Sequence, residues 1–198
     1  MSADSDSVVT SPFRSPQGRS EDRAVKRQAL LTAAVQLFNE RGFHATSLDD
    51  VAARVGVTKP VVYHYLGNKD QVLFECVSTG LMLLREAADA ARAQPGTGLD
   101  RLKAFLRSYA EVVMGDFGRC VIRTGEETLS AERRAQFRVS KREIDTAMRG
   151  MIAEAVADGS AAVSDVRLTA FTIAGALSWS ARWYRDDIGH GEGATARE

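Results

Sequence analysis

The chain has 198 residues, 44% apolar and 26% charged, an ordinary soluble composition with room for one sizeable core. Lys and Arg number 26, as do Asp and Glu, so net charge neither indicates nor excludes a polyanionic partner. Two distant cysteines (Cys76, Cys120) exclude a disulfide scaffold or zinc framework, no apolar run reaches the roughly 20 residues of a membrane span, and the start lacks a signal core, so a reduced cytoplasm is the expected location.

Residues 1–20 are rich in Ser, Asp, Pro and Gly and are predicted to be a disordered tail. From Glu21 the pattern is helical: Leu30, Ala34, Leu37 and Phe38 recur at the spacing of one buried face, and Gly42 follows as a stop. Over residues 19–69, eight basic residues face five acidic ones, which makes this segment mildly basic. Ser47 then precedes a second apolar stripe of Leu48, Val51, Ala52 and Val55, with Asp50 at capping-box spacing and Gly56 as terminator. Thr58 is placed to cap a third short helix, with Pro60 in its first turn, where a missing N–H costs little. Gly67 and Asn68 end it, and Lys69 opens a long fourth helix with Val72, Leu73, Cys76, Val77, Leu81 and Leu84 on its apolar side. After a break at QPGTG (94–98), three further helical blocks are predicted at about 99–116, 127–157 and 165–186. Period-2 alternation is scarce, so the chain reads as all-α. The polar, glycine-rich residues 189–198 are predicted to be a flexible tail.

The two short helices joined through Gly56, Val57 and Thr58, behind a longer sheltering helix, have the layout of a helix-turn-helix. In such a unit Val57, Val62 and Leu66 face inward, and Lys59, Pro60, Val61, Tyr63, His64 and Tyr65 are left on the outer arc. An ammonium group suits guanine O6/N7 or a phosphate, Val and Pro suit a thymine methyl, and Tyr and His hydrogen-bond to phosphates or base edges. Lys69, at the N-terminus of the next helix, adds charge beside free backbone N–H groups. The spacing alone also fits a packing hairpin whose aromatics are core.

The stretch RQALLTAAVQLFNERGFHATSLDDVAARVGVTKPVVYHYLGNKDQVLFECV resembles the DNA-binding domain of the TetR family of transcriptional regulators. The likeness runs without a gap through AxxLFxxxGF, TS before the second helix, VAxxxGV, and the spacing of Tyr63 and Lys69. It implies a helix-turn-helix at about 47–66 within a DNA-binding domain at 21–69, with contacts from Ser47, Thr58, Lys59, Pro60, Val61, Tyr63, His64, Tyr65 and Lys69. It further implies that 70–188 form a helical effector-binding and dimerisation domain. The expected partners are a palindromic double-stranded DNA operator, a second copy of the chain and a small-molecule effector. No cofactor, metal or membrane is expected.

In the C-terminal half, SWSARWYR (178–185) is the most distinctive segment. Ala174, Ala176, Ser178 and Ala181 are small enough to admit a second helix, with Trp179 and Trp183 as packing anchors of a dimer helix or as lining of an effector pocket. The W-x-x-x-W-Y pattern is similar to TetR-family members that respond to acyl-CoA thioesters. Phe105, Tyr109, Met114, Phe117, Cys120, Ile122, Arg123 and Phe137 are further pocket candidates, each with ordinary core as the alternative. Arg119 and Arg123 beside GEE (125–127) read as a solvated charge cluster, and Glu126, Glu127 and His190 are set aside as metal ligands. The further amphipathic helix usual after this point in the family has no counterpart in GHGEGATARE, which leaves the dimer geometry open.

The competing readings are an enzyme and a helical small-molecule-binding module that does not touch DNA. Three scattered histidines, and no nucleophilic triad, phosphate loop or zinc-ligand spacing, speak against the enzyme.

Overall fold

A 26-residue helix, α1 (Pro16–Arg41), supports two short ones, α2 (Leu48–Val55) and α3 (Lys59–Leu66), and α4 (Lys69–Arg92) leads away from them. Then follow α5 (Gly98–Met114), α6 (Asp116–Arg123), a single 3-10 turn (Glu126–Thr128), α7 (Ala131–Ala157) and α8 (Val166–Trp183). The computed structural model describes residues 16–183, with side chains from 21 to 182, and among these there is no strand. The fold is all-α. Among the described residues no helix is long and apolar enough to cross a membrane.

Local chemistry sets the short helices. Ser47 and Asp50 form the complete capping box, each side chain accepting the other's backbone N–H, at 3.1 and 2.7 Å. Gly56 closes α2 at φ 71°, a left-handed conformation that a side chain would strain. Pro60 sits in the first turn of α3, as its missing N–H requires. Thr58 occupies the N-cap position by its backbone, but its hydroxyl makes no cap bond, contrary to the expectation of a side-chain cap. Asn68 is the cap that works, accepting Gln71 N–H at 2.8 Å to start α4. Thr46, the first residue of the TS pair before the second helix, is buried and donates to the Leu37 and Gly42 carbonyls at 3.2 and 2.9 Å, fixing the turn from α1 to α2.

Three boundaries differ from expectation. Residues 16–20, inside the segment expected to be disordered, already belong to α1; residues 1–15 lie outside the described residues. The block at 99–116 ends at Met114, where Gly115 turns extended (φ −74°, ψ 164°) and launches a separate helix, α6. The block at 127–157 becomes a 3-10 turn followed by α7 from Ala131.

The core continues from one half into the other. Leu30, Leu37, Val51, Val62 and Leu66 close the three-helix head, and Leu73, Cys76 and Val77 carry the core along α4. α4 packs against α5, α6 and α7, while α6 touches α1, α4, α5 and α8. Gly80 makes the α4–α6 crossing: a Cβ there would lie 2.5 Å from the Phe117 carbonyl oxygen. The first N–H groups of α5 are satisfied from the far side of the chain, Gly98 N–H by Asp158 at 2.6 Å and Leu99 N–H by Ser160 Oγ at 3.0 Å.

Candidate nucleic-acid interface

α3 presents two faces. Val62 and Leu66 are fully buried and Val57 is half-buried against the core, so the inward face is the one the sequence predicts. Each of the two buried side chains stabilises the head by about 1.5–3 kcal/mol. Lys59, Pro60, Val61, Tyr63 and His64 are exposed, Tyr63 at 52%. Tyr65 is a correction: it is half-buried, packed against the core, with its ring edge-on to His64 at 5.2 Å between centroids. Helical geometry explains the difference, since Tyr65 lies three residues after Val62 and shares its flank.

The Lys59 ammonium is paired with the Asp49 carboxylate of α2, which holds it above its ordinary pKa. Lys69 stands 4.2 Å above the Phe43 ring and 3.5 Å from the His44 carbonyl oxygen. Burial lowers its pKa from the usual 10.5. A notch between the N-termini of α2 and α4 is lined by His44, Ser47, Tyr63, Asn68 and Lys69. Its ammonium, hydroxyls and nearby first-turn N–H groups are donors suited to a phosphate. The Ser47 hydroxyl is already engaged by Asp50, whose carboxyl is held below its ordinary value by that bond. Thr58 is exposed at the start of α3. The structure thus gathers Ser47, Tyr63 and Lys69 in one notch and ranges Lys59 to His64 along one helix face. Sequence reasoning missed Asp49 and His44, which carry no spacing signal of their own.

A second concavity, of about 520 Å³, opens between α4, α5, α6, α7 and α8. Leu81, Leu84, Ile144, Met148 and Phe171 give it an apolar wall, and Tyr109 and Ser178 meet inside it at 3.3 Å. Two of its lining carboxylates are matched: Glu126 accepts from Arg138 Nε at 2.6 Å, which lowers its pKa, and Asp145 pairs with Arg149. Lys141 and Arg182 therefore leave this wall with positive charge.

Of the residues expected in a pocket, Tyr109, Ile122 and Trp179 line this one. Phe105 and Phe137 are fully buried core, and Phe117 packs against that core. Met114 is half-buried at the end of α5 and lines neither concavity. Cys120 and Arg123 border a separate cavity of about 350 Å³ below Phe38 and Asn39. The Trp183 side chain lies outside the described residues. Arg123, exposed and bordering the same cavity as Gly125 and Glu127, donates to the carbonyls of Asn39, Ala181 and Arg182 at 2.7, 3.2 and 3.3 Å. Lys141 was missed because a lone lysine on a charged helix carries no signal.

Comparison with known proteins agrees with this arrangement. Residues 30–76 match the model of bacterial regulatory proteins of the tetR family, and residues 95–191 that of the tetracyclin repressor-like C-terminal domain. The HTH-type transcriptional regulator BetI of Rhizobium meliloti is 32% identical over 83 residues, 42% of this chain and 41% of BetI. The chain spans less than half the length of the curated relatives it matches. A TetR/AcrR-family regulator from Thermobifida fusca is 32% identical with a TM-score of 0.63, over 85% of this chain and 89% of that one. AibR, solved in complex with isovaleryl coenzyme A and operator DNA, is 25% identical with a TM-score of 0.72, over 82% of this chain and 89% of that one. With its helix-turn-helix head, its helical C-terminal body and both family models matched in order, the chain belongs to the TetR family of helix-turn-helix transcriptional regulators.

Proposed function

We propose that this chain is a cytoplasmic repressor that binds a palindromic operator as a homodimer and is released by a small apolar effector. The observation that carries the DNA reading is the exposed face of α3, with Lys59, Pro60, Val61, Tyr63 and His64 beside the notch holding Ser47 and Lys69. A helix so presented enters a major groove with its N-terminal residues at the base edges, and Lys69 clamps a phosphate. Two copies set their α3 helices one helical turn of DNA apart, roughly 34–36 Å or somewhat more. An effector that prefers the other separation releases the operator by its difference in affinity for the two states.

For the effector, the 520 Å³ concavity combines an apolar wall with Lys141 and Arg182. That is the chemistry of an apolar chain carrying an anionic head, and an acyl-CoA thioester fits it. The isovaleryl coenzyme A held by AibR supports the same class.

The test begins with selection of bound fragments from random DNA. Lys69→Ala is expected to weaken binding to all selected sequences alike and to lower the salt slope by about 1. Purified protein that binds no DNA, or is indifferent to that change, would favour a binding module without DNA. Thermal shifts with acyl-CoA thioesters of graded length test the effector; no shift at any length rules that class out.

A further inference from the structure

We propose that Asp49, at the start of α2, determines specificity on the DNA-reading face: its carboxylate reads a cytosine in each half-site and keeps Lys59 off the phosphates of other sequences. The inference rests on the reading of the exposed α3 face as the one that enters the major groove.

The head matches its own cations. Between residues 41 and 69 the Lys and Arg side chains are Arg41, Arg54, Lys59 and Lys69. Arg41 lies 3.9 Å from Asp50, Arg54 pairs with Glu40 at 2.6 Å, and Lys59 pairs with Asp49. Lys69 is held differently, over the Phe43 ring and beside the His44 carbonyl. Of the three matched cations, only Lys59 stands on the exposed face of α3. Affinity for DNA of any sequence grows with the number of cations that replace counterions at phosphates. A carboxylate tied to the cation of the reading helix works against that affinity, so it is misplaced on a surface that only grips the backbone.

Stability does not account for the pair. The Lys59 side chain is 66% exposed and that of Asp49 44%, and an ion pair so open to water contributes little to folding. Asp49 also lies in the first turn of α2, where negative charge is favoured, but Asp50 supplies such a charge there and closes the capping box as well.

Position gives the carboxylate its task. Lys59 is the first residue of α3, the end that meets base edges, so a carboxylate bonded to its ammonium reaches the same place in the groove. Asp49 engages Lys59 through Oδ2, and among the described residues its Oδ1 accepts no bond. The ammonium has three donors and gives one to Asp49. The pair therefore offers donors and an acceptor side by side. Across a G·C pair the major groove sets the guanine O6 acceptor next to the cytosine N4 donor. Lys59 suits the first and Asp49 the second. In an A·T pair the one donor, adenine N6, lies between two acceptors, which repel a carboxylate from both sides. Phosphates repel it anywhere on the duplex.

The experiment selects bound fragments from random DNA with the full chain and with Asp49→Ala and Asp49→Asn. Affinities for the selected operator and for a random duplex are then measured over a range of salt concentrations, with circular dichroism to confirm folding. Wild type is expected to fix one C·G pair in each half-site. In Asp49→Ala that position is expected to accept any base. Binding of the random duplex is expected to tighten about tenfold, with a salt slope steeper by about 1 as Lys59 turns to a phosphate. Asp49→Asn is expected to move the preference from cytosine to adenine, because an amide both accepts from N6 and donates to N7. An ion pair that only stabilised α2 would change the melting temperature and none of these readouts. Retention of the cytosine by folded Asp49→Ala overturns the proposal, as does a random-duplex affinity that fails to rise. A wild-type chain that selects no sequence overturns the groove reading and this proposal with it. A clear wild-type motif that both variants retain overturns this proposal alone.

Discussion

Tyr63 and Tyr65 stand two residues apart on α3 and do different physical work. Tyr63 projects into solvent beside Lys69, whereas Tyr65 lies against the core and the His64 ring. Tyr63→Phe is therefore expected to leave the melting temperature unchanged and to weaken operator binding about 3–10-fold, the worth of one hydrogen bond. Tyr65→Ala is expected to cost about 1–2 kcal/mol of stability by denaturant unfolding, through lost apolar burial. Cysteine gives a second contrast. Cys76 and Cys120 are buried, and burial raises both thiols, Cys120 to about 11 from its ordinary 9.0. A thiol with so little thiolate and no access is inert, so iodoacetamide at pH 8 is expected to label neither in the native chain and both in urea. The sign of the linked effect follows. The unfolded chain releases its thiol protons first, so stability declines as pH rises from about 9 towards 11.

Among the elements, the ends of α5 and α7 illustrate what the sequence conceals. Asp158 accepts the Gly98 N–H across 60 residues of chain and also bonds to Ser160, and these bonds hold its carboxyl below the ordinary 3.8. A depressed carboxylate contributes stability that is present above pH 3.8 and lost as the pH falls through the lower folded value. Asp158→Ala is accordingly expected to lower the melting temperature at pH 7, and the gap from wild type is expected to close in acid, below about pH 4. Such a cap cannot be read from spacing, because its partners are remote. Ser47–Asp50 was legible because three residues separate them and the helix fixes their geometry. The same distinction covers the rest of the fold. The apolar periodicity of α1 to α4 states which face is buried, and the inward Val62 and Leu66 follow from it. The end of α5 near 116 was legible, but α6 went unread, because eight residues between two glycine-containing breaks carry too short a period to be recognised without the packing against α4. The cavity was half-legible: aromatic side chains were identified, but Phe105 and Phe137 face the core while Lys141 and Ile144 face the hollow, a matter of helix rotation.

At the scale of the whole molecule, the proposed effector response requires the head and the body to communicate, and α6 touches both, as α4 does. Gln36 and Asn39 of α1 donate to Asp116 at its start, at 3.0 and 2.8 Å. At its end Arg123 reaches the Asn39 carbonyl with one nitrogen and those of Ala181 and Arg182 with the others. One guanidinium therefore ties the last turn of α1 to the part of α8 that carries the cavity-lining Arg182. Its planar fork suits it to several carbonyls in fixed directions, which an ammonium group does not match. A displacement of α8 by an effector is then passed to α1, and so to the seat of α3, through a short, specified contact. The prediction concerns coupling, not either affinity alone. In Arg123→Ala, operator and effector are each expected to bind within about threefold of wild type, while the factor by which effector weakens operator binding falls by about tenfold. Titrating operator at several fixed effector concentrations measures all three quantities at once. Arg123→Lys is expected to resemble the alanine variant, since it keeps the charge and loses the fork. An unaltered coupling factor in both variants would move the connection elsewhere, to the Gln36–Asp116 end of α6 or to α4, where the head and body share their core.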